Sequence, residues 1–247
     1  MNNQFDNSGK RLKSLIDNNQ YVLTPGVFSP LIAMMAEKKG FKSMYFSGAA
    51  FSAMKGIPDI GIFTFQELFD AVIEITKMSN LPLIVDVDTG FGEVINVTRT
   101  VSDLESIGVA AIQIEDQLFP KRCGHLEGKE IIKAKEFAKK IYAAKSVSKD
   151  MLVIARTDAK AVEGIDSAIE RAKLYKDAGA DIIFPEALET EEEFKLFAES
   201  VNGDMLANMT EFGKTKLFSY KQLENFGYNI VISVSYTHLT LPTICSV

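Results

Sequence analysis

The sequence predicts a single (β/α)8 barrel, an α/β fold in which eight parallel strands alternate with helices. Eight short apolar runs recur along the chain, longer amphipathic segments separate them, and polar residues follow six of the eight runs. An open, doubly wound sheet is the main alternative. Such a sheet usually has a glycine-rich phosphate turn after its first strand, whereas this chain has Thr24-Pro25-Gly26-Val27 there.

The predicted strands are short apolar runs bounded by turn residues, which is typical of buried parallel strands. In chain order they cover residues 21–24, 43–47, 81–87, 110–114, 152–156, 181–184, 204–207 and 228–232.

The predicted helices are the amphipathic segments 29–39, 65–78, 95–106, 129–144, 165–177, 189–201 and 219–225. Thr64 with Glu67, and Thr190 with Glu193, have the spacing of a capping box at a helix start. Glycines stand where three of the helices should end, at positions 40, 108 and 179.

Length and composition indicate one large domain and exclude several classes of function. The chain has 247 residues, of which 47% are hydrophobic, so it can bury a substantial core. The net charge of −6 and the lack of a long basic run argue against nucleic-acid binding. No segment approaches the roughly 18 apolar residues of a membrane span, and the N-terminus does not read as a secretory signal.

The last segment, residues 233–247, contains no charged residue. Residues 234–238 can be back-translated as GTC TCT TAT ACA CAT, and residues 239–243 as CTG ACG CTG CCG ACG, which resembles a transposon-end sequencing adapter. We therefore interpret residues 1–232 as the barrel, interrupted after strand eight, and residues 233–247 as translated adapter. An ordinary apolar edge segment is the alternative. On our interpretation Cys123 is the one native cysteine and has no disulfide partner, so we expect a cytoplasmic protein.

Asp86-Val87-Asp88 ends the third run, and strand alternation should place both carboxylates on one face. Close carboxylates repel each other unless a proton or cation joins them, so a hard divalent ion is expected. Mg²⁺ is favoured, with Mn²⁺ as a substitute, because the native chain offers no second histidine or cysteine for zinc. Asp59 and Glu115 are expected to add contacts through water. A local backbone role for the pair is the alternative.

The loop Lys121-Arg122-Cys123-Gly124-His125 follows the fourth run and surrounds one thiol with basic side chains. Cations lower the pKa of a thiol, so Cys123 can act as an acid or nucleophile. Gly124 permits a close approach to a ligand, and His125 can tune the thiol or donate to an oxyanion. Lys121, Cys123, His125 and Glu115 are the candidate catalytic residues. A buried structural role for Cys123 and a structural or surface role for His125 are the alternatives.

Arg156, near the end of the fifth run, offers a guanidinium fork for a substrate carboxylate. A structural salt bridge with Asp158 or Glu186 is the equal alternative. Together, these residues indicate a small anionic substrate whose oxygenated carboxylate chelates Mg²⁺ while a thiol exchanges a proton with carbon. Reversible cleavage of a carbon–carbon bond in a 2-hydroxy acid needs this combination.

With these residues the chain resembles the isocitrate lyase/phosphoenolpyruvate mutase superfamily, and within it the methylisocitrate lyase branch, from about residue 9 to residue 232. The most specific shared motif is Lys121-Arg122-Cys123-Gly124-His125. The supporting segments are 45–48, 86–88, 114–117, 155–159, 184–187 and 208–213.

The resemblance implies a (β/α)8 barrel, Mg²⁺ at Asp86 and Asp88, and Cys123 on a flexible loop as the acid that protonates the departing dicarboxylate. The implied reaction is cleavage of 2-methylisocitrate to pyruvate and succinate in propionate catabolism. The implied substrate contacts are Tyr45, Ser47, Gly48, Ala49, Gly124, Arg156, Glu186, Asn208 and Thr210.

The chain departs from the family pattern in three respects. It has Ser47-Gly48-Ala49-Ala50 where methylisocitrate lyases often have Ser-Gly-Gly-Gly, and Arg122 where isocitrate lyases tend to have a second lysine. The resemblance also implies a substrate-binding arginine after strand eight, and C-terminal helices exchanged within a homotetramer. Residues 1–232 contain neither feature, so we expect the 247-residue chain to be poorly soluble and weakly active or inactive.

Three other functions remain open at this point. Within the superfamily these are 2,3-dimethylmalate lyase and oxaloacetate decarboxylase, of which the decarboxylase has less need of an acid such as Cys123. Outside catalysis, the chain can be a metabolite-binding barrel, which would predict gaps in the catalytic set. Phosphonopyruvate chemistry is disfavoured, because that branch does not share the Cys-Gly-His loop.

Overall fold

Eight parallel strands pair in chain order and close into a barrel, because β8 returns to pair with β1. The computed structural model describes residues 7–18, 21–124, 128–210 and 215–233. Helices connect the strands, so the predicted (β/α)8 barrel is confirmed. The strands are β1 (Val22–Val27), β2 (Met44–Phe46), β3 (Leu83–Asp86), β4 (Ala111–Glu115), β5 (Leu152–Thr157), β6 (Ile182–Pro185), β7 (Asp204–Asn208) and β8 (Ile230–Ser233).

The described ranges contain every predicted helix and three that the sequence did not predict. The additional helices are α1, α3 and α7, and the last two have only 7 and 5 residues, which is too short for an amphipathic period to appear. The helices are α1 (Ser8–Asp17), α2 (Pro30–Lys38), α3 (Gly48–Met54), α4 (Phe65–Met78), α5 (Val94–Ser106), α6 (Ala134–Val147), α7 (Ala159–Glu163), α8 (Ile165–Asp177), α9 (Glu191–Ser200) and α10 (Tyr220–Asn225).

Two predicted boundaries are wrong for reasons of tertiary pairing. The first strand was predicted to end at Thr24, but β1 continues to Val27. The strand continues because residues 22–25 pair with β8 and residues 26–27 pair with β2. Helix α6 was expected from residue 129 but begins at Ala134. The residues before it are held in an extended form, since the Leu118 N–H donates to the Glu130 carbonyl (2.8 Å) and Ile131 forms a bridge with Gln117.

Side-chain alternation along the strands divides the core into two layers. In β4, for example, Ala111 packs inside the barrel, whereas Ile112 packs between the sheet and the helices. Leu12 and Ile16 of α1 belong to the inner layer with Val22, at the start of β1. Helix α1 therefore closes the amino-terminal end of the barrel with apolar side chains, and polar groups gather at the opposite end.

Local capping agrees with the sequence except at one helix. Thr64 and Glu67 form the predicted capping box of α4. Thr190 caps α9 by accepting from the Glu193 N–H, but the Glu193 carboxylate accepts from the Glu189 N–H instead of completing the box. The three predicted stop glycines all adopt positive φ, at positions 40, 108 and 179.

Two further expectations from the sequence concern membrane spans and the C-terminal segment. Within the described ranges, every helix is too short or too polar to cross a membrane. The adapter interpretation of residues 233–247 stays a prediction, because residues 234–247 lie outside the described residues and Ser233 ends β8.

The capping box of α4 yields a first testable prediction. Thr64→Ala removes the side-chain acceptor of the Glu67 N–H, so the free energy of unfolding should fall by about 1 kcal/mol in chemical denaturation. Hydrogen bonds from the Thr64 backbone N–H, Lys55 and the Thr64 hydroxyl lower the pKa of Glu67 to about 2. The contribution of a depressed carboxyl is present above its ordinary pKa and lost as the pH falls towards the folded value, so the measurement belongs near neutral pH.

Ser102→Ala is the matched control, because Ser102 is exposed in the middle of α5 and caps nothing. Its effect should stay within about 0.5 kcal/mol. Equal losses in the two variants would contradict the assigned role of Thr64.

Candidate active site

The polar strand ends predicted from the sequence meet at the carboxyl end of the barrel. Asp86 ends β3 and Glu115 ends β4, and Glu115 lies in register with Arg156 of β5. Glu186 directly follows β6 and Asn208 ends β7. Because all strands are parallel, their carboxyl ends share one face, which is where barrels of this kind carry their sites.

Asp86, Asp88 and Glu115 form a carboxylate cluster in which one oxygen from each lies within 4.8 Å of the others. All three side chains are buried, with at most 6% of each residue exposed. The predicted pair is therefore brought together, but not by strand alternation. β3 ends at Asp86, and Asp88 reaches the cluster through a left-handed backbone conformation with φ of 49°. The Asp88 N–H donates to Asp86 Oδ1 (3.1 Å) and fixes this turn.

The electrostatics of the carboxylate cluster fit a bound cation. Burial raises the pKa of Asp88 to about 7, since the nearby Asp86 charge adds to desolvation and Lys121 offsets only part of it. Burial also raises the pKa of Glu115 well above its ordinary value. In the described part of the chain, Glu115 Oε1 receives no hydrogen bond. Buried carboxylate oxygens whose negative charge is only partly neutralised are suitable ligands for a hard divalent metal ion. Glu115 lies within the cluster itself, closer than the water-mediated contact predicted for it.

Lys121 and Asp59 are placed differently from the prediction. Lys121 was expected to lower the pKa of the thiol, but its ammonium binds Asp59 and lies 2.9 Å from Asp88 Oδ1. Burial opposes the charged ammonium, yet Asp88 and the neighbouring carboxylates outweigh it and raise the pKa of Lys121. Asp59 therefore reaches the cluster through Lys121. The physical reason is charge balance, because a nearly buried ammonium is most stable among carboxylates.

The loop that follows β4 is held against the site by its own side chains and backbone. Gln117 Nε2 donates to the Arg122 carbonyl (2.8 Å), and the Arg122 N–H donates to Gln117 Oε1 (2.9 Å). Cys123 is half-buried. A Cβ added to Gly124 would lie 2.6 Å from Arg156 Nη2 and 2.7 Å from Glu186 Cγ. The Gly124 backbone therefore packs against these two side chains, and its approach to a ligand stays a prediction. His125 lies outside the described residues.

Arg156 makes the salt bridges that the sequence left as one of two alternatives. Its Nε lies 2.9 Å from Asp158 Oδ2 and 3.7 Å from a Glu186 oxygen, and Nη1 lies 3.2 Å from Glu115 Oε2. The guanidinium also lies over the Phe184 ring, 5.5 Å from its centroid. Burial disfavours the charge, but Asp158, Glu115 and Glu186 together raise the pKa of Arg156 well above its ordinary value. Arg156 thus carries a permanent charge at the floor of the site.

The remaining predicted substrate contacts occupy different places around the site. Tyr45 is buried and donates its hydroxyl to Gln113 Oε1, and the Gly48 N–H donates to Asp86 Oδ2 (3.2 Å). The Ser47 side chain caps α3 by accepting from the Ala50 N–H. Ala49 lies at the start of α3. Asn208 ends β7, two strands from Arg156 of β5, and Thr210 follows it by two positions.

Asp116 is a structural residue of the site whose role the sequence did not reveal. Its buried carboxylate accepts from the hydroxyls of Thr157 (2.7 Å) and Tyr175 (2.8 Å) and from the Asp158 N–H (2.9 Å). Burial, reinforced by the Asp158 charge, raises the pKa of Asp116 to about 6. Tyr175 is 59 positions away in the sequence, so no local pattern could have indicated this contact. Asp116 fixes the end of β5, from which Arg156 projects.

Comparisons with known proteins find relatives over most of the chain. A family model described as phosphoenolpyruvate phosphomutase matches residues 12–242. A 2-methylisocitrate lyase of Aeropyrum pernix is 52% identical over 92% of this chain and 74% of that protein. A 2,3-dimethylmalate lyase of Eubacterium barkeri is 43% identical over 92% of this chain and 79% of that protein.

Solved structures give the same result for the fold. An oxaloacetate acetylhydrolase bound to 3,3-difluorooxalacetate superposes with a TM-score of 0.91 and 33% identity, covering 97% of this chain and 83% of that one. A phosphonopyruvate hydrolase bound to oxalate and Mg²⁺ superposes with a TM-score of 0.85 and 28% identity, covering 97% of this chain and 85% of that one.

The tight packing at Gly124 yields a second prediction. Gly124→Ala should displace the loop from Arg156 and Glu186, because a methyl group cannot occupy a space 2.6–2.7 Å from their atoms. Turnover should fall by about 10²-fold, the size of effect that a misplacement of about 1 Å produces, while thermal unfolding changes little.

Gly40→Ala serves as the control. Its added Cβ would meet nothing within 4 Å, but its φ of 86° makes the substitution strained. That variant should lose stability and keep its turnover per folded molecule. Full activity in Gly124→Ala would show that the loop does not depend on this contact.

Proposed function

The chain belongs to the isocitrate lyase/phosphoenolpyruvate mutase superfamily, and we propose that it is a magnesium-dependent lyase that cleaves 2-methylisocitrate to pyruvate and succinate. The identity of 52% to a 2-methylisocitrate lyase supports the substrate. The observation that carries the chemistry is the position of the Cys123–Gly124 backbone against Arg156 and Glu186, beside the carboxylate cluster. A proton donor, a carboxylate-binding cation and a metal site thus share one end of the barrel.

We assign the metal site to Asp86, Asp88 and Glu115. Their buried carboxylates offer only oxygen donors, which Mg²⁺ prefers and Mn²⁺ accepts. When bound, Mg²⁺ would supply a Lewis acid that stabilises negative charge on the oxygen of the hydroxyl-bearing carbon as that carbon becomes the carbonyl of pyruvate. Lys121 lies beside Asp88 and adds a fixed positive charge to the same region.

Arg156 is the group that orients the substrate. Its guanidinium faces three carboxylates, from Glu115, Asp158 and Glu186, which hold its plane in one orientation. Asp158 already occupies the Nε–Nη2 edge of the guanidinium, so a substrate carboxylate would bind the Nη1–Nη2 edge, and the Gly124 backbone nearby limits the space to a small acid. The contacts of Tyr45, Ser47, Gly48, Ala49, Asn208 and Thr210 with substrate are part of the proposal.

Cys123 is the proposed acid. The bond between the hydroxyl-bearing carbon and its neighbour breaks, and the hydroxyl-bearing carbon becomes the carbonyl of pyruvate as its hydroxyl proton passes to a carboxylate at the same end of the barrel. The electron pair of the broken bond stays on the neighbouring carbon, and the thiol protonates that carbon to give succinate. A half-buried thiol next to Gly124, on a loop in contact with Arg156 and Glu186, is suitably placed for this transfer.

2,3-Dimethylmalate is the second candidate substrate, because a lyase for that acid is 43% identical to this chain. The same bond type breaks in both acids, and only the group on the departing fragment differs. That group is a carboxymethyl in 2-methylisocitrate and a methyl in 2,3-dimethylmalate, so the preference depends on whether the site binds the additional carboxylate, which direct comparison of the two substrates tests. Oxaloacetate decarboxylation and a non-catalytic metabolite-binding barrel are the outcomes that would replace the lyase. A cytoplasmic location and a homotetramer stay predictions.

A substrate panel tests the proposed reaction. Release of the 2-oxo acid is measured with Mg²⁺: pyruvate from 2-methylisocitrate, 2,3-dimethylmalate or oxaloacetate, and glyoxylate from isocitrate. We expect 2-methylisocitrate to give the highest kcat/KM, and Cys123→Ser to lower kcat by about 10²- to 10⁴-fold because the acid is lost. Pyruvate from oxaloacetate alone, indifferent to Cys123→Ser, would assign the protein to decarboxylation. Binding of the acids without any turnover would favour the metabolite-binding barrel.

Metal binding is tested separately by thermal unfolding. MgCl₂ at 100 times its dissociation constant should stabilise the protein by about 2.7 kcal/mol. Asp86→Asn should abolish this dependence, because it removes one charge from the carboxylate cluster. Asp70→Asn, on the exposed face of α4, is the matched control and should respond to Mg²⁺ as the unchanged protein does. Identical Mg²⁺ responses in both variants would be evidence against this metal site.

A further inference from the structure

Lys129 is a buried lysine that neither the predicted site nor the proposed reaction uses. Only 2% of its side chain is exposed. Its ammonium donates to the Gly124 carbonyl and to Asp158 Oδ1, the latter at 2.7 Å. Removing an ammonium group from water costs several kcal/mol, and an apolar side chain of the same length would avoid that cost. The presence of a charged group here is therefore better explained by the two acceptors that the ammonium joins than by a gain in the free energy of unfolding.

One end of the connection is rigid. Asp158 is fully buried, its N–H donates to Asp116 Oδ1 (2.9 Å), and its Oδ2 accepts from Arg156 Nε (2.9 Å). Asp116 is itself held by Tyr175 of α8. Burial alone would raise the pKa of Asp158, but Arg156 and Lys129 outweigh it, so the pKa lies below the ordinary value. Asp158 thus presents a fixed negative charge at the end of β5.

The backbone around Lys129 is also fixed. The Leu118 N–H donates to the Glu130 carbonyl, and Gln117 forms a bridge with Ile131. These contacts attach the segment after the loop to the segment before it. Lys129 therefore extends from an anchored backbone towards the two acceptors.

The other end of the connection is the thiol loop, by which we mean residues 121–124. Gly124 follows Cys123 directly, so a hydrogen bond to the Gly124 carbonyl restrains the peptide unit next to the thiol-bearing residue. The Gly124 backbone also packs against Arg156 and Glu186. A shift of the Gly124 carbonyl would therefore move Cys123 relative to Arg156.

We propose that Lys129 is a positioning residue that holds the thiol loop against the end of β5, through Gly124 and Asp158, and so places Cys123 for proton delivery. The inference rests on the proposed lyase function, in which Cys123 is the acid. It adds a residue that does not touch the reacting atoms. Lys129→Arg can donate to both acceptors and retains the charge, whereas Lys129→Met fills similar space and donates to neither.

Two measurements on Lys129→Met and Lys129→Arg test the proposal. The first is steady-state pyruvate release, which separates kcat from KM. The second is the rate of Cys123 alkylation by iodoacetamide, followed by mass spectrometry of the peptide that contains Cys123. Lys139→Met is the matched control, since Lys139 is an exposed lysine of α6 paired only locally with Glu136.

We expect Lys129→Met to lower kcat by about 10²-fold, more than it raises KM, and to speed alkylation several-fold because the thiol loop is released. Lys129→Arg should recover part of both effects, and Lys139→Met should show neither. Unchanged kcat and alkylation in Lys129→Met, even with a lower Tm, would overturn the proposal and leave Lys129 a structural residue.

The alkylation rate separates this inference from the lyase function itself. If the unchanged protein releases no pyruvate from any of the acids, the proposed function fails. Alkylation then decides alone whether Lys129 restrains the thiol loop. If Lys129→Met does not fold, Lys129→Arg carries the test, because slow alkylation equal to that of the unchanged protein is expected only if the bridge persists. Fast alkylation in a folded Lys129→Arg protein would count against the bridge.

Discussion

Charge balance in a buried site is the constraint on which the carboxyl end of this barrel depends. Asp86, Asp88, Glu115, Asp158 and Glu186 all lie there with little exposure to water. An unpaired buried carboxylate is costly, so each must accept a proton, bind a cation or lie beside a basic side chain. Arg156 forms salt bridges with Glu115, Asp158 and Glu186, and Lys121 forms one with Asp88. The carboxylate cluster keeps an excess of negative charge, which is what a metal ion would neutralise.

The same constraint explains why the thiol loop packs where it does. Lys121 and Lys129 flank the Cys123-Gly124 segment, and each places its ammonium on a buried carboxylate, Asp88 in one case and Asp158 in the other. Lys121 of the thiol loop and Lys129 after it therefore supply positive charge to the buried carboxylates. Its position over Arg156 and Glu186 follows from two ion pairs on opposite sides of the thiol, with glycine between them where no side chain fits. Electrostatics thus links the placement of a proton donor to the neutralisation of the site.

The comparisons show that proteins named for several different reactions share the barrel of this chain. Solved structures of an oxaloacetate acetylhydrolase and a phosphonopyruvate hydrolase share the barrel at 33% and 28% identity. A barrel end that carries a metal site and an arginine can bind many small oxo- and hydroxy-acids, because these acids share the oxygens that such groups recognise. The reaction that follows depends on the loop residue that meets the developing charge. In this chain we assign that role to Cys123.

Much of the molecule was determined by local sequence. Apolar runs alternating with amphipathic segments predicted all eight strands and seven of the ten helices in the described residues. The strands could be predicted because burial on both faces of the sheet requires a short apolar run for each strand. The residues at the strand ends, including Asp86, Glu115 and Arg156, could be identified because parallel strands bring those ends to one face. Tertiary structure alone decided how the charges pair. The sequence predicted Lys121 beside the thiol and placed Lys129 in a helix, yet Lys121 binds a carboxylate that follows β3 and Lys129 binds one that follows β5. Asp116 meets a tyrosine 59 positions away. These partners are chosen by the energy of burying charge, which depends on distances that exist only after the barrel has closed.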